Sequence, residues 1–232
     1  MFDMDGLLVD TEPLWFEVET EIMARLGGAW SHADQAQLVG TSLAKSVGYM
    51  LARAEKPTPP ATIGRWMVDG MVDRIAERGV TMLPGAAELV DEVAAEGLPC
   101  ALVTSSERTV MDAVLAQVGP ATSAFDVTVC AADVSRTKPD PEPYLLATAL
   151  LGADPARCVV LEDAPNGVAA AQAAGCLVVM VPSVAAVPRA DCDASARGVA
   201  RTGHNPLMVS SLRDVSVAWL RERVAARGGS AP

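Results

Sequence analysis

The amino-acid sequence predicts an α/β fold, built as a doubly wound parallel sheet with an inserted α-helical domain. After residue 98, short apolar runs alternate with helical patterns, as in PCALVTSS followed by ERTVMDAVLAQVG. Such alternation is typical of parallel βαβ units. The runs CALV, VVL and LVVMV are apolar throughout, which indicates strands that helices cover on both faces.

The first strand of this sheet is unusually short in the sequence. Only Met1 and Phe2 precede Asp3, whereas strands usually have about five or six residues. We therefore expect that several residues of this strand are missing here.

A helical insert follows the first strand and its turn. Apolar residues three or four positions apart predict a helix that stops at Gly27 and Gly28. Its apolar stripe consists of Leu14, Val18, Ile22 and Leu26. Further helical patterns cover Leu43–Ala54 and Ile63–Ala76, separated by the helix-breaking KPTPP segment. No strand is predicted from Pro13 to Thr81.

The main domain resumes after this insert. LPGAAELVDEVAAEG predicts a helix that leads into the strand of PCALVTSS. Residues 183–205 have no regular pattern and are expected to form a surface loop, whereas PLMVSSLRDVSVAWLRERVAA predicts a closing strand and helix before a frayed RGGSAP tail. The sequence thus predicts a helical cap at 13–81 and a Rossmann-like core at 1–12 and 82–232.

Composition and charge restrict the partners of the protein. Its 232 residues are 50% hydrophobic and carry a formal net charge of −11, with a pI near 4.6. No nucleic acid is expected as a partner, because binding the phosphate backbone requires a basic surface. No signal peptide or membrane-spanning run is found, so we expect a cytoplasmic protein that binds no membrane. For the oligomeric state, a monomer is the default expectation. The five cysteines lack CxxC spacing and are expected to be free thiols.

Four short polar segments lie at the ends of predicted strands or open the following helices. They are FDMDG at 2–6, VTSS at 103–106, KPDP at 138–141 and LEDAPNG at 161–167. In open α/β sheets, ligands bind at the edge where the strands end. The four segments are therefore expected to meet in one crevice, although each alone is common in ordinary turns and loops.

The acidic residues of these segments predict a metal site. Asp3 and Asp5 are two residues apart and would point to the same face of an extended strand. Together with Glu162 and Asp163 they would repel one another, and a hard cation such as Mg²⁺ relieves that repulsion. Lys138 supplies a second positive charge.

The VTSS segment predicts a phosphate site. Hydroxyl groups and free N–H groups at a helix N-terminus bind phosphate well, which makes Thr104 and Ser105 candidates. The alternative is that Ser105 or Ser106 simply caps the helix.

The four segments together resemble the motifs of the haloacid dehalogenase (HAD) superfamily. FDMDGLLVDTEPLW is similar to its first motif, Thr104 to the second, Lys138 to the third, and Glu162 with Asp163 to the fourth. The insert after the first motif and the EDAPNG stretch resemble the β-phosphoglucomutase-like phosphatases. The resemblance covers essentially the whole chain.

This resemblance implies a phosphatase with a definite set of roles. Asp3 would be the nucleophile and form an aspartyl-phosphate, and Asp5 would protonate the leaving oxygen and later activate water. Thr104, Ser105 and Lys138 would hold the phosphoryl oxygens. The implied Mg²⁺ ligands are Asp3, the Asp5 main-chain carbonyl and Asp163, with Glu162 and Asn166 beside them.

The same residues disfavour three alternative functions. Asp5 disfavours a dehalogenase, which has no alkoxide to protonate. A β-phosphoglucomutase-type mutase is disfavoured because Trp15 and Leu43 stand where that enzyme has a histidine and an arginine. A non-catalytic binding protein of this fold is disfavoured by the four intact motifs.

The cap residues that would contact a substrate are less defined by the sequence. Trp15, Ser42 and Lys45 are candidates, although Lys45 also fits a solvated helix position. His32 and His204 lie outside the motifs and are expected at the surface. The expected partner is a small phosphorylated metabolite, such as a sugar or polyol phosphate, which the sequence does not identify further.

Overall fold

The protein is described by a computed structural model that covers residues 1–182 and 205–228. In chain order the strands are β1 (Val9–Asp10), β2 (Thr81–Met82), β3 (Ala101–Val103), β4 (Val127–Val129), β5 (Val159–Glu162), β6 (Leu177–Met180) and β7 (Leu207–Met208). The helices are α1 (Glu12–Arg25), α2 (His32–Gln35), α3 (Leu43–Leu51), α4 (Pro60–Arg78), α5 (Ala86–Ala95), α6 (Arg108–Val118), α7 (Glu142–Leu150), α8 (Pro165–Ala173) and α9 (Val217–Gly228). The expected surface loop falls on residues that lie outside these ranges except for Asn205, and so do His204, Cys192 and most of the RGGSAP tail.

A parallel sheet forms the centre of the molecule, and the first residues of the chain join its two halves. β3 pairs with β4, and β5 with β6 and then β7, all in parallel. Phe2 forms parallel bridges to Leu102 and Leu161, donating to Ala101 O at 2.8 Å and accepting from Val103 N at 2.8 Å. The segment before Asp3 therefore lies between β3 and β5.

Both faces of this sheet are buried, as the continuous apolar runs predicted. Along β3, Leu102 packs in one hydrophobic cluster while Ala101 and Val103 pack in another. Likewise Val179 faces the first cluster and Val178 the second. Because side chains alternate between the faces of a strand, each cluster covers one face. The predicted α/β fold with a doubly wound sheet is thus observed.

Helices α1 to α4 follow one another between β1 and β2, which pair with each other in antiparallel register. This small pair was not predicted, and assigning no strand up to Thr81 was wrong at that last position. The predicted stripe of α1 is buried throughout, with Leu14 at 7% exposure and Leu26 at 0%. The helix predicted over Leu43–Ala54 ends earlier, at Leu51, because an apolar period does not mark helix ends.

Several expectations about the whole chain remain predictions. The cap boundaries 13–81 are one of them, although α1 to α4 fall within 12–78. No helix in the described ranges is long and apolar enough to cross a membrane. The four cysteines of these ranges are free, and three of them are buried.

Candidate active site

Asp3 lies at the end of the segment that joins the two halves of the sheet. Its N–H donates to Leu161 O at 3.1 Å, which fixes it beside β5. The side chain is 7% exposed, and its Oδ1 accepts a hydrogen bond from Lys138 Nζ at 2.5 Å. Lys138 Nζ also donates to Val103 O at 2.8 Å. The strand ends therefore place a buried ammonium directly against the Asp3 carboxylate.

Glu162 holds this lysine from the other side. Its Oε1 accepts from Lys138 Nζ and from Tyr144 Oη, each at 2.6 Å. Its Oε2 accepts from the N–H groups of Asp163 at 3.1 Å and Ala164 at 3.3 Å. Because its two oxygens already accept from four donors, the Glu162 carboxylate is held in place and holds Lys138 in turn. Gly167 makes room for it, since a Cβ there would lie 1.7 Å from Glu162 Oε1.

Asp3, Glu162 and Asp163 form a buried carboxyl cluster in which one oxygen from each residue lies within 4.8 Å of the other two. Burial, and then the charge of Glu162, raise the pKa of Asp3 to about 8, although Lys138 lowers it. Burial and the charge of Asp3 likewise raise the pKa of Asp163 well above its ordinary value. For Lys138, burial lowers the pKa, but the Asp3 and Glu162 carboxylates raise it overall.

The cluster fits a divalent cation. Asp163 Oδ2 is buried and has no hydrogen-bond partner in the described part of the chain. Such an orphaned oxygen is costly without a counter-charge. The single ammonium of Lys138 pairs with Asp3 and Glu162, so Asp163 has no positively charged partner among the described residues. Hard oxygen ligands of this kind suit Mg²⁺, and Asp3 and Asp163 are the better candidates because Glu162 is already occupied.

The Asp5 carboxylate is held by four polar groups. Oδ1 accepts from Thr11 Oγ1 at 2.6 Å and Trp15 Nε1 at 3.4 Å. Oδ2 accepts from Thr104 Oγ1 at 3.3 Å and Ser106 Oγ at 2.8 Å. The sequence suggested no role for Thr11. It grouped Ser106 with the hydroxyl residues of the VTSS segment, which could bind phosphate or cap the helix. A signal was present for both, since Ser106 ends the VTSS segment and Thr11 lies within FDMDGLLVDTEPLW.

Thr104 and Ser105 both line the cavity above these carboxylates. Thr104 Oγ1 accepts from Ser106 N at 3.0 Å, so it also shapes the turn. Ser105 Oγ is buried without a partner among the described residues, which leaves it free to contact a ligand. The alternative that Ser105 or Ser106 caps the helix was wrong, because the N-cap of α6 is Glu107.

The cavity has a volume of about 80 Å³ and is closed on one side by the helical insert. Glu12, Trp15, Glu19 and Gln35 line it from that side. Burial, followed by the charges of Asp5 and Asp10, raises the pKa of Glu12 to about 7. Burial raises the pKa of Glu19 to about 8, although the Trp30 indole lowers it.

Both of these glutamates were missed at the level of sequence. Glu12 and Glu19 are seven residues apart, and this heptad spacing on α1 was the available signal.

The remaining predicted residues lie at the edge of the site or outside it. Ser42 is the N-cap of α3 and accepts from Lys45 N at 3.4 Å, while Lys45 itself is exposed. Neither lines the cavity, so the structure does not bring these two candidates to the site. Asn166 Nδ2 donates to Gly40 O at 3.1 Å and so connects the start of α8 to the insert.

Comparison with known proteins identifies the family. The sequence-family model of the haloacid dehalogenase-like hydrolases matches residues 1–181. The chain belongs to this family. Hexitol phosphatase A from Escherichia coli is 36% identical over 190 residues, which cover 82% of this chain and 85% of that protein.

Solved structures of the family agree with this assignment. CbbY from Rhodobacter sphaeroides in complex with phosphate is 28% identical, with a TM-score of 0.80 over 95% of this chain and 97% of that one. A mutant of the same protein holds xylulose-(1,5)bisphosphate. β-Phosphoglucomutase from Clostridium difficile is 20% identical, with a TM-score of 0.79 over 97% of this chain and 96% of that chain, and this likeness shows the fold alone.

These findings decide the broader expectations. The predicted superfamily, its β-phosphoglucomutase-like branch and the α/β fold with a helical cap are confirmed. The expectation of a hydrolase of phosphate monoesters is confirmed at the level of the family. The roles of single residues, the identity of the metal and the substrate stay predictions.

Proposed function

We propose that the protein is a Mg²⁺-dependent phosphatase that hydrolyses a small sugar or polyol phosphate through an aspartyl-phosphate on Asp3. The observation that carries this proposal is the pairing of Asp3 with Lys138 at 2.5 Å inside a cavity that also exposes Asp5. The related hexitol phosphatase supports a polyol phosphate as substrate.

The proposed metal site uses residues already described. Asp3, Asp163 and the Asp5 main-chain carbonyl would hold the ion, which supplies positive charge to phosphoryl oxygens when bound. Lys138 adds charge from the protein itself, and its position is fixed by Glu162 and Val103 O. Charge that is fixed in place before the reaction usually contributes most to the stabilisation of a transition state.

The proposed chemistry divides into two displacements at phosphorus. In the first, Asp3 forms a bond to phosphorus while the ester P–O bond breaks, and Asp5 gives its proton to the leaving oxygen. In the second, water attacks phosphorus, Asp5 takes the proton of that water, and the Asp3–phosphorus bond breaks to release inorganic phosphate. Thr104 and Ser105 would donate hydrogen bonds to phosphoryl oxygens.

A phosphate-release assay over a panel of metabolite monoesters tests this proposal. We expect release from a sugar or polyol phosphate that depends on Mg²⁺, stops with EDTA, and falls by at least about 10³-fold in Asp3→Asn. Asp91→Asn, an exposed carboxyl change on α5, is the matched control and is expected to keep full activity.

Three outcomes would contradict the proposal. Equal release by Asp3→Asn and the parent would exclude the aspartyl-phosphate. Conversion of β-glucose 1-phosphate to glucose 6-phosphate with little free phosphate would indicate a mutase. Absence of any turnover would indicate a non-catalytic binding protein.

The partners follow from the same proposal. We propose a small phosphorylated metabolite as the ligand, with no nucleic acid or membrane, for a monomeric protein in the cytoplasm. The net charge of −11 supports the exclusion of nucleic acid.

A further inference from the structure

Glu19 is a buried carboxyl group to which the proposed reaction assigns no role. It is 3% exposed, and its Oε2 accepts a hydrogen bond from Trp30 Nε1 at 3.1 Å. No cation pairs with it in the described ranges, and its second oxygen accepts no hydrogen bond there. Burying a carboxyl group without a cation is unfavourable, so a merely structural role would be better served by an apolar residue. Because Glu19 lines the cavity, a ligand is the natural partner for its second oxygen.

The course of α1 places Glu19 beyond the reacting atoms. Thr11 at its N-cap and Trp15 one turn later both donate to Asp5. Glu19 follows Trp15 by another turn, or about 6 Å along the helix axis. A substrate with its phosphate against Asp3 would therefore extend its organic part along α1 toward Glu19.

The charges around the cavity disfavour a substrate whose organic part carries a second negative charge. Its carboxyl side chains are Asp3, Asp5, Glu12, Glu19, Glu107 and Glu162, and among the described lining residues Lys138 is the only basic one. Lys138 is already bonded to Asp3 and Glu162. A second phosphate or a carboxylate on the substrate would find no free cation there, whereas hydroxyl groups can both donate to and accept from carboxyl oxygens.

We infer that Glu19 is a specificity-determining residue that hydrogen-bonds a hydroxyl of the leaving group, so that the enzyme selects neutral polyhydroxylated monophosphates over bisphosphates. This inference rests on the proposed phosphatase function. Glu19 is protonated over much of the neutral range, because burial raises its pKa to about 8. A neutral carboxyl can donate as well as accept, which suits a hydroxyl partner.

Steady-state kinetics on matched substrates test the inference. A hexitol 6-phosphate carries the hydroxyls, p-nitrophenyl phosphate lacks them, and the hexitol 1,6-bisphosphate adds the second charge. In Glu19→Met we expect kcat/KM for the hexitol phosphate to fall by at least about tenfold, mainly through KM, because one or two buried hydrogen bonds are lost. For p-nitrophenyl phosphate we expect less than a threefold change.

Two further variants separate binding from folding. Glu19→Gln keeps a polar group of the same length and the acceptor for Trp30, so it should restore the hexitol phosphate value to within about threefold. Should Glu19→Met not fold, Glu19→Asp takes its place with the same expectations, since the shorter side chain withdraws the carboxyl from the cavity. Glu21→Gln, an exposed change on the same helix, is the control.

The possible outcomes distinguish a failure of this inference from a failure of the proposed phosphatase function. Equal losses for hexitol phosphate and p-nitrophenyl phosphate, or no loss for either, would overturn the role of Glu19 while leaving the phosphatase intact. A parent enzyme that prefers the bisphosphate would overturn the proposed selectivity. A parent that is inactive on every monophosphate would remove the proposed function and this inference together.

Discussion

The carboxyl groups on the core side of the cavity and those on the cap side differ in how many hydrogen bonds they accept. On the core side, Asp5 and Glu162 each accept hydrogen bonds from four donors. On the cap side, Glu19 is buried and Glu12 is partly buried, yet each side chain accepts from only one donor in the described residues. Four donors stabilise a carboxylate in one position, whereas a single donor leaves hydrogen-bonding capacity for a ligand. This difference supports the proposal that the core side carries out the chemistry and the cap side recognises the substrate.

Replacing Asp5 is the strongest way to test the core side. In Asp5→Asn the carboxyl can no longer give or take a proton, so we expect kcat for a sugar or polyol phosphate to fall by about 10²- to 10⁴-fold. With p-nitrophenyl phosphate, whose leaving group needs no proton, we expect a rapid burst of nitrophenolate equal to the enzyme present, followed by slow turnover. Stopped-flow absorbance measures both phases.

The matched control for this change is Asp10→Asn, an exposed carboxyl five residues further along the chain. It should retain full turnover. A slow first phase in Asp5→Asn, without any burst, would contradict the assignment of Asp5 to the second displacement.

Gly167 offers a test that touches only the positioning of the core groups. A Cβ at this site would lie 1.7 Å from Glu162 Oε1, so Gly167→Ala must displace the carboxylate that holds Lys138. A misplacement of about 1 Å can cost 10²-fold in rate, and we expect a loss of about that size in kcat. A phosphate-release assay measures it.

Gly48→Ala is the control for the glycine change, because a Cβ at Gly48 meets nothing within 4 Å. Gly48 lies inside α3, so alanine there should raise the free energy of unfolding by about 0.5–1 kcal/mol and leave kcat unchanged. Wild-type kcat in Gly167→Ala would show that Glu162 does not position Lys138.

The same contrast explains how much the sequence could predict. The core residues Asp3, Asp5, Thr104, Lys138 and Asp163 follow strands, and parallel strands bring their ends to one edge whatever the details of packing. Their convergence could therefore be predicted from the order of apolar runs and polar segments alone.

The cap residues could not be placed in this way. A helix face becomes part of a cavity only when the insert packs on the core. No local sequence pattern predicts how the insert is oriented relative to the core. Ser42 and Lys45 were chosen by resemblance, yet one caps α3 and the other is exposed. Glu12 and Glu19 have only their seven-residue spacing as a signal in the sequence, and that spacing does not show that they line the cavity. The β1–β2 pair was missed because two-residue strands carry no period.

The cap side also predicts a dependence of stability on pH. A carboxyl whose pKa is raised binds more protons in the folded than in the unfolded chain, so stability falls as the pH rises through that interval. For Glu19 the interval runs from about 4.5 to about 8, with burial as the main cause and the charge of Glu12 contributing. In Glu19→Gln this loss is absent.

We therefore expect Glu19→Gln to gain stability relative to the parent as the pH rises. The difference between its free energy of unfolding and that of the parent should be about 1–3 kcal/mol higher at pH 8 than at pH 5. Urea unfolding at the two pH values, in EDTA, measures this difference. Glu21→Gln, an exposed change on the same helix, is the control. A relative stability of Glu19→Gln that does not change with pH would show that Glu19 is ionised in the folded protein at both pH values.

We expect the smallest effect from removing the hydrogen bond that joins the core side to the cap side. Asn166, at the start of α8, donates to Gly40 O in the loop before α3, and a Cβ on Gly40 would lie 2.5 Å from the Ala164 side chain. Core and cap thus meet closely at the rim of the cavity, yet a single hydrogen bond contributes only about 0.5–1.5 kcal/mol.

In Asn166→Ala we expect KM to rise by about two- to fivefold with kcat nearly unchanged, because the loss affects closure over the substrate rather than the reacting groups. Asn166→Asp, which keeps the shape but cannot donate to the carbonyl, should raise KM at least as much. If instead kcat fell tenfold while KM stayed constant, Asn166 would belong with the reacting groups of the core side.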